Sequence, residues 1–194
     1  MAMKAVLFDL DGTLLDRDTS LAAFVRDQYD RYAQFHQVDK GTFVQRFIDL
    51  DEHGYVWKDK VYQQLLMEYA IEGIGWNELL DDYLVGFQKH CVGYPHLVSM
   101  LTEVKKHGLK TALISNGYGQ FQYDNAIFLR GASRLDVGAN EAIFVGDHPE
   151  NDIRASQAVG MKAVWKRNKL HESLDYADII IDQLDELLPY VKSL

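Results

Sequence analysis

The chain is constrained most by its short, unbroken apolar runs: Ala5-Val6-Leu7-Phe8, Thr111-Ala112-Leu113-Ile114, Ala142-Ile143-Phe144-Val145 and Ile179-Ile180-Ile181, with a weaker one at Lys162-Ala163-Val164-Trp165. Runs that are continuous instead of alternating are the pattern of strands covered on both faces, as in parallel sheets. Between them lie helical patterns. After Pro95, Leu97, Met100, Leu101 and Val104 recur at helical spacing, and Lys105-Lys106-His107-Gly108 supplies a cationic last turn and a C-cap. Asn151 to Val159, closed by Gly160, repeats the alternation before Lys162. The expectation is an α/β fold, a doubly wound parallel sheet whose ligands bind beyond the carboxyl ends of the strands.

The stretch from about Thr19 to Tyr94 has no proline, many aromatics and helical periodicity, as at Leu79, Tyr83, Leu84 and Phe87. Breaks at Asp39-Lys40-Gly41, Asp51-Glu52-His53-Gly54 and Gly73-Ile74-Gly75 divide it into roughly four helices. The expected organisation is an α/β core of residues 1–17 and 95–194, with an all-helical domain, residues 18–94, inserted after the first strand.

Composition narrows the function classes. With 20 Lys and Arg against 29 Asp and Glu, the net charge is -9 and there is no basic run to follow a phosphate backbone, so nucleic acid is not an expected partner. No apolar stretch approaches the roughly 18 residues of a membrane span, and no signal-peptide pattern is present. The single cysteine, Cys91, cannot form an internal disulfide and fits a reducing, cytoplasmic setting. Nothing in the pattern fixes the oligomeric state.

Chemistry concentrates at three strand ends. The first strand runs into Asp9-Leu10-Asp11-Gly12-Thr13, with two carboxylates two residues apart. In extended chain such residues point the same way, so both can face one ligand while Leu10 turns inward. Asp-Gly alone is also a turn signal. The second strand ends in Ser115-Asn116-Gly117, a hydroxyl, an amide and glycine N–H groups suited to an oxyanion but equally a common turn. The third is Gly146-Asp147-His148-Pro149-Glu150-Asn151-Asp152, where the acids can bind a cation or cap a helix.

Together, Asp9-Leu10-Asp11-Gly12-Thr13-Leu14-Leu15-Asp16, Ser115 and Val145-Gly146-Asp147 through Asp152 resemble the haloacid dehalogenase superfamily of phosphohydrolases, a Rossmann-like fold with a helical cap. The resemblance implies Asp9 as the nucleophile that forms an aspartyl-phosphate, Asp11 as general acid and base, and Ser115 as a holder of the phosphoryl group. It also implies Gly12, Thr13, Asn116 and Gly117 around the substrate. Mg²⁺ would be held by Asp9, the main-chain carbonyl of Asp11 and Asp147, with Asp152 assisting directly or through water. The carboxylate at Asp11 points to a phosphatase or phosphomutase, since dehalogenating members lack one there, and to a small phosphorylated metabolite as substrate.

The family's lysine, expected between the serine and the last acidic motif, is missing: residues 115–141 contain no lysine. The chain there reads as two helices spliced at Asn125–Ala126, so a larger than bonded separation is expected at that point. Arg130 and Arg134 are candidate substitutes that fit a solvated helix face equally well. Without such a cation, a non-catalytic phosphate-binding protein is the alternative. His148, Arg17, the aromatics Tyr55, Trp57 and Trp76, and the loop Asp51 to Tyr55 are further candidates for touching substrate, although His148 equally suits a surface or supporting position, Arg17 a surface salt bridge and the aromatics the core.

Overall fold

The computed structural model describes residues 2–115, 137–171 and 173–193. Five strands form one sheet: β1 (Ala5–Phe8), β2 (Lys110–Leu113), β3 (Ala142–Gly146), β4 (Lys162–Lys166) and β5 (Ile179–Ile181). Their order is β2-β1-β3-β4-β5, and every pairing is parallel. The α/β parallel fold expected from the apolar runs is therefore the one observed. Asn116, Gly117, Arg130, Arg134 and the Asn125–Ala126 junction lie outside the described residues.

The chain divides into two compact units, Met1–Asp16 with Gly93–Leu194, and Arg17–Val92. In the first, β1 and β3 are buried along their whole length, which explains their unbroken hydrophobicity. Ala5, Leu7, Ala142 and Phe144 form one cluster, and Ile153, Ala163, Trp165 and Leu174 form another. By contrast β2 has Lys110 exposed and its other residues half-buried, as befits an edge among the described strands. The chain passes from β1 to β2 on one side and returns with β3 on the other. The C-terminal end of β1 is thus a topological switch point, where open α/β sheets bind ligands.

The second unit carries α1 (Arg17–Arg31), α2 (Lys40–Asp51), α3 (Lys58–Glu68) and α4 (Trp76–Gly86). Asp39 caps α2 by accepting the Thr42 amide at 2.9 Å. Phe24, Phe35, Phe43, Phe47 and Tyr62 are buried together with a polar network, in which Tyr62 Oη donates to Gln28 at 2.8 Å. Among the described residues no helix is long and apolar enough to cross a membrane.

Candidate active site

Each acidic motif leaves the end of a strand. The Asp9 amide donates to the Val145 carbonyl at 2.9 Å, extending the β1–β3 pairing by one residue and fixing Asp9 beside Gly146. The chain then closes a tight turn, with the Leu10 carbonyl accepting the Leu14 amide at 3.0 Å and the Leu15 amide at 2.9 Å. Leu10 is buried, as its alternation with Asp9 and Asp11 requires.

At the end of β3 the chain enters a π-helical turn, Pro149–Arg154, before the helix Ala155–Ala158; the sequence pattern suggested a helix beginning only at Asn151. The wide turn follows from two caps. His148 Nδ1 accepts the Glu150 and Asn151 amides, and Asp152 Oδ2 accepts the Asp147 amide at 3.0 Å and the His148 amide at 2.8 Å. Asp152 is thereby folded back over Gly146, where a Cβ would lie 2.4 Å from the Asp152 Cβ, so only glycine fits.

The result is a cluster in which Asp9, Asp147 and Asp152 each offer a carboxylate oxygen, all within 4.8 Å of one another. Burial, followed by the charges of Asp152, Asp147 and Asp11, pushes Asp9 up to about 9. Burial likewise lifts Asp147 to about 6, against the opposing hydrogen bond from Asn168. Asp152 is also raised by burial, although two amides favour its ionised form. Raised proton affinity in neighbouring acids means that a bound cation would favour their ionised forms. Hard, convergent oxygen donors of this kind fit Mg²⁺, which favours carboxylates and retained waters.

The other expected site residues sit as follows. The Asp11 carboxylate is near enough to raise Asp9. Ser115 follows Ile114, whose amide donates to the Phe8 carbonyl at 2.9 Å, placing it at the same sheet edge. The Gly12 and Thr13 amides close the turn, donating to Leu15 and Leu10, while the Thr13 hydroxyl is buried without a hydrogen-bond partner. Arg17 is committed within the helical unit, donating twice to buried Asp51. His148 packs its ring against His171.

Three residues at this edge escaped the sequence reading. Asn168 Nδ2 donates to both the carbonyl and Oδ2 of Asp147 at 3.0 Å, and its Oδ1 accepts the Leu170 and His171 amides, which fixes the amide's orientation. Trp165 Nε1 donates to the Asp147 carbonyl at 2.9 Å. Lys166 Nζ donates to the Gly12 carbonyl at 3.2 Å. The signal available for Lys166 was a charged residue closing a buried strand, the same signal that marked Asp9.

A five-stranded parallel sheet with three carboxylates converging at its switch point defines an α/β protein with an acidic site where such sheets bind ligands. The chain belongs to the haloacid dehalogenase-like hydrolases, whose family profile matches residues 3–160. It is 28% identical over 130 residues to a glyceraldehyde 3-phosphate phosphatase of Methanocaldococcus jannaschii, covering 52% of this chain and 57% of that one. Against a protein of the same name from Pyrococcus furiosus, identity is 27% over 228 positions, covering 96% of this chain and 92% of that one. Since that alignment is longer than the 194 residues here, part of the relative has no counterpart in this chain. A HAD phosphatase from Thermococcus onnurineus superposes with a TM-score of 0.59 at 25% identity, covering 97% of this chain and 98% of that one.

Proposed function

We propose that this chain hydrolyses a small phosphorylated metabolite through an aspartyl-phosphate on Asp9. The observation that carries the reading is the convergence of Asp9 with Asp147 and Asp152 at the end of β1, where a ligand of an α/β sheet belongs. The phosphatases among its relatives support it.

In this reading a carboxylate oxygen of Asp9 attacks phosphorus, while Asp11 donates a proton to the leaving alkoxide oxygen. Asp11 then takes a proton from the water that attacks the acyl phosphate, returning Asp9 to its free form. Ser115 holds the transferring group. Asp9, Asp147, Asp152 and the Asp11 carbonyl would hold Mg²⁺, which supplies neutralising charge for an anion attacking an anion. Asn168 and Trp165 keep Asp147 oriented for that role. The helical unit Arg17–Val92 would act as the cap that selects substrate.

The test is phosphate release from p-nitrophenyl phosphate with and without Mg²⁺. Activity that needs the metal and disappears in Asp9→Asn is the expected result. Absence of turnover in the wild-type chain overturns the reading.

A further inference from the structure

Lys166 closes β4, one residue beyond the Gly146–Trp165 pair, at the edge that carries Asp147. Its side chain lies inside the protein, with the residue only 4% exposed. Burying an ammonium group is costly unless its charge is answered. Here Nζ donates to the Gly12 carbonyl at 3.2 Å and sits 3.4 Å from the centre of the Tyr94 ring. Asp147 and Asp16 lie near enough to act as its counter-charges.

Each contact belongs to a part of the site. Gly12 is the turn between Asp11 and Thr13, at φ +87°, with its Cα pressed against the Asp147 carboxylate. Tyr94 belongs to the segment beside that turn, its amide donating to the Leu14 carbonyl at 2.9 Å, next to the bridge between Leu15 and Gly93. One lysine therefore links the turn after Asp11 to the neighbouring segment, with its charge within electrostatic reach of Asp147. On the phosphomonoesterase reading an anionic substrate would meet four acids at this edge, and residues 115–141, where the resemblance expected the balancing lysine, contain none.

We propose that Lys166 is the positioning cation of this site, clamping the Gly12 carbonyl against Asp147 and offsetting the carboxylates so that a phosphoryl group can enter. The proposal rests on the phosphomonoesterase reading and moves the balancing charge from the segment before β3 to the end of β4.

The sign of the electrostatic effect separates this role from simple scaffolding. Removing a positive charge beside Asp147 lowers the repulsion on an incoming dication and raises that on an incoming anion. Titration calorimetry on the full chain would measure Mg²⁺ alone, then orthovanadate with Mg²⁺ present, for wild type, Lys166→Met and Lys166→Arg, with thermal unfolding to verify folding. In Lys166→Met, Mg²⁺ should bind as tightly as in wild type or a few-fold tighter, while orthovanadate weakens about tenfold or more, within the range for losing one preorganised charged group. Lys166→Arg should recover most of that loss. Tyr94→Leu, which removes the aromatic face holding the ammonium, should weaken orthovanadate in the same direction and serves if Lys166→Met does not fold.

Unchanged orthovanadate affinity in Lys166→Met overturns the proposal. So does a parallel loss of Mg²⁺ and orthovanadate binding that arginine fails to restore. A wild-type chain that binds orthovanadate but releases no phosphate from p-nitrophenyl phosphate overturns the hydrolytic reading alone, and the comparison at Lys166 still decides this one.

Discussion

Gly12 and Asp147 are packed so closely that a Cβ on Gly12 would lie 2.3 Å from Asp147 Oδ2. The turn after β1 and the acid after β3 are thus one unit, assembled from residues far apart in the chain. The close approach and the backbone conformation at φ +87° both demand glycine.

Gly12→Ala should therefore lower the unfolding free energy by about 2 kcal/mol and abolish phosphate release. Gly160→Ala is the control: its φ is +91°, yet nothing lies within 4 Å of the added Cβ, so only the backbone strain of about 1 kcal/mol applies. Urea denaturation of both variants measures the difference. Equal losses would show that contact with Asp147 contributes nothing.

Asp11 and Asp147 should separate on substitution. Asp11→Asn should reduce turnover by about 10²- to 10⁴-fold with Mg²⁺ affinity nearly unchanged, because the metal role assigned to Asp11 is its main-chain carbonyl. Asp147→Asn should weaken Mg²⁺ itself. Calorimetry beside steady-state rates decides the matter, and equal loss of metal affinity in the two variants would falsify separate roles.

Without a bound cation, stability should fall as pH rises through the neutral range. Asp9 is pushed up to about 9 and Asp147 to about 6, both above the ordinary 3.8, so the folded protein holds protons that the unfolded chain has released. Their stabilising contribution is full below about pH 4; the part from Asp147 is lost through about pH 6 and that from Asp9 through about pH 9. Thermal unfolding in chelator between pH 5 and 9 should show a falling midpoint, which saturating Mg²⁺ flattens. Binding of Mg²⁺ at pH 7 should release protons, seen as a dependence of the calorimetric heat on buffer ionisation enthalpy. A flat metal-free profile would contradict the arrangement.

In the helical unit, Asp51 is buried between Arg17, which donates to it at 2.8 and 3.1 Å, and Lys58, itself 1% exposed. Burial opposes its ionisation, but the two cations prevail and hold its carboxyl below the usual range. Asp51→Asn removes the carboxylate charge that faces buried Lys58, so it should cost about 3 kcal/mol in urea denaturation. Asp49→Asn, on the exposed surface of the same helix, should change little. A small loss at Asp51 would mean that water reaches Lys58.

What the sequence determined by itself is the sheet and the position of its acids. Unbroken apolar runs at Ala5–Phe8 and Ala142–Gly146 admit few readings other than buried parallel strands, and a carboxylate directly after such a run must lie at the sheet's edge. Asp9, Asp11, Asp147 and Asp152 were legible because local pattern fixes where a strand stops. The helix breaks were legible too, since Asp39 and the glycines act through local backbone geometry. The partners were not legible. Lys166 meets Gly12 across 154 positions, and Asn168 meets Asp147 across 21. Nothing local distinguishes an inward lysine from one whose stem lies along the surface with its charge in water. Arg17 shows the same limit, since its place at the entrance to the helical unit allowed either an anionic ligand or a salt bridge, and only the fold brings it to Asp51. Charge pairing between distant elements depends on which side chains packing carries into the interior together, and only the tertiary structure decides that.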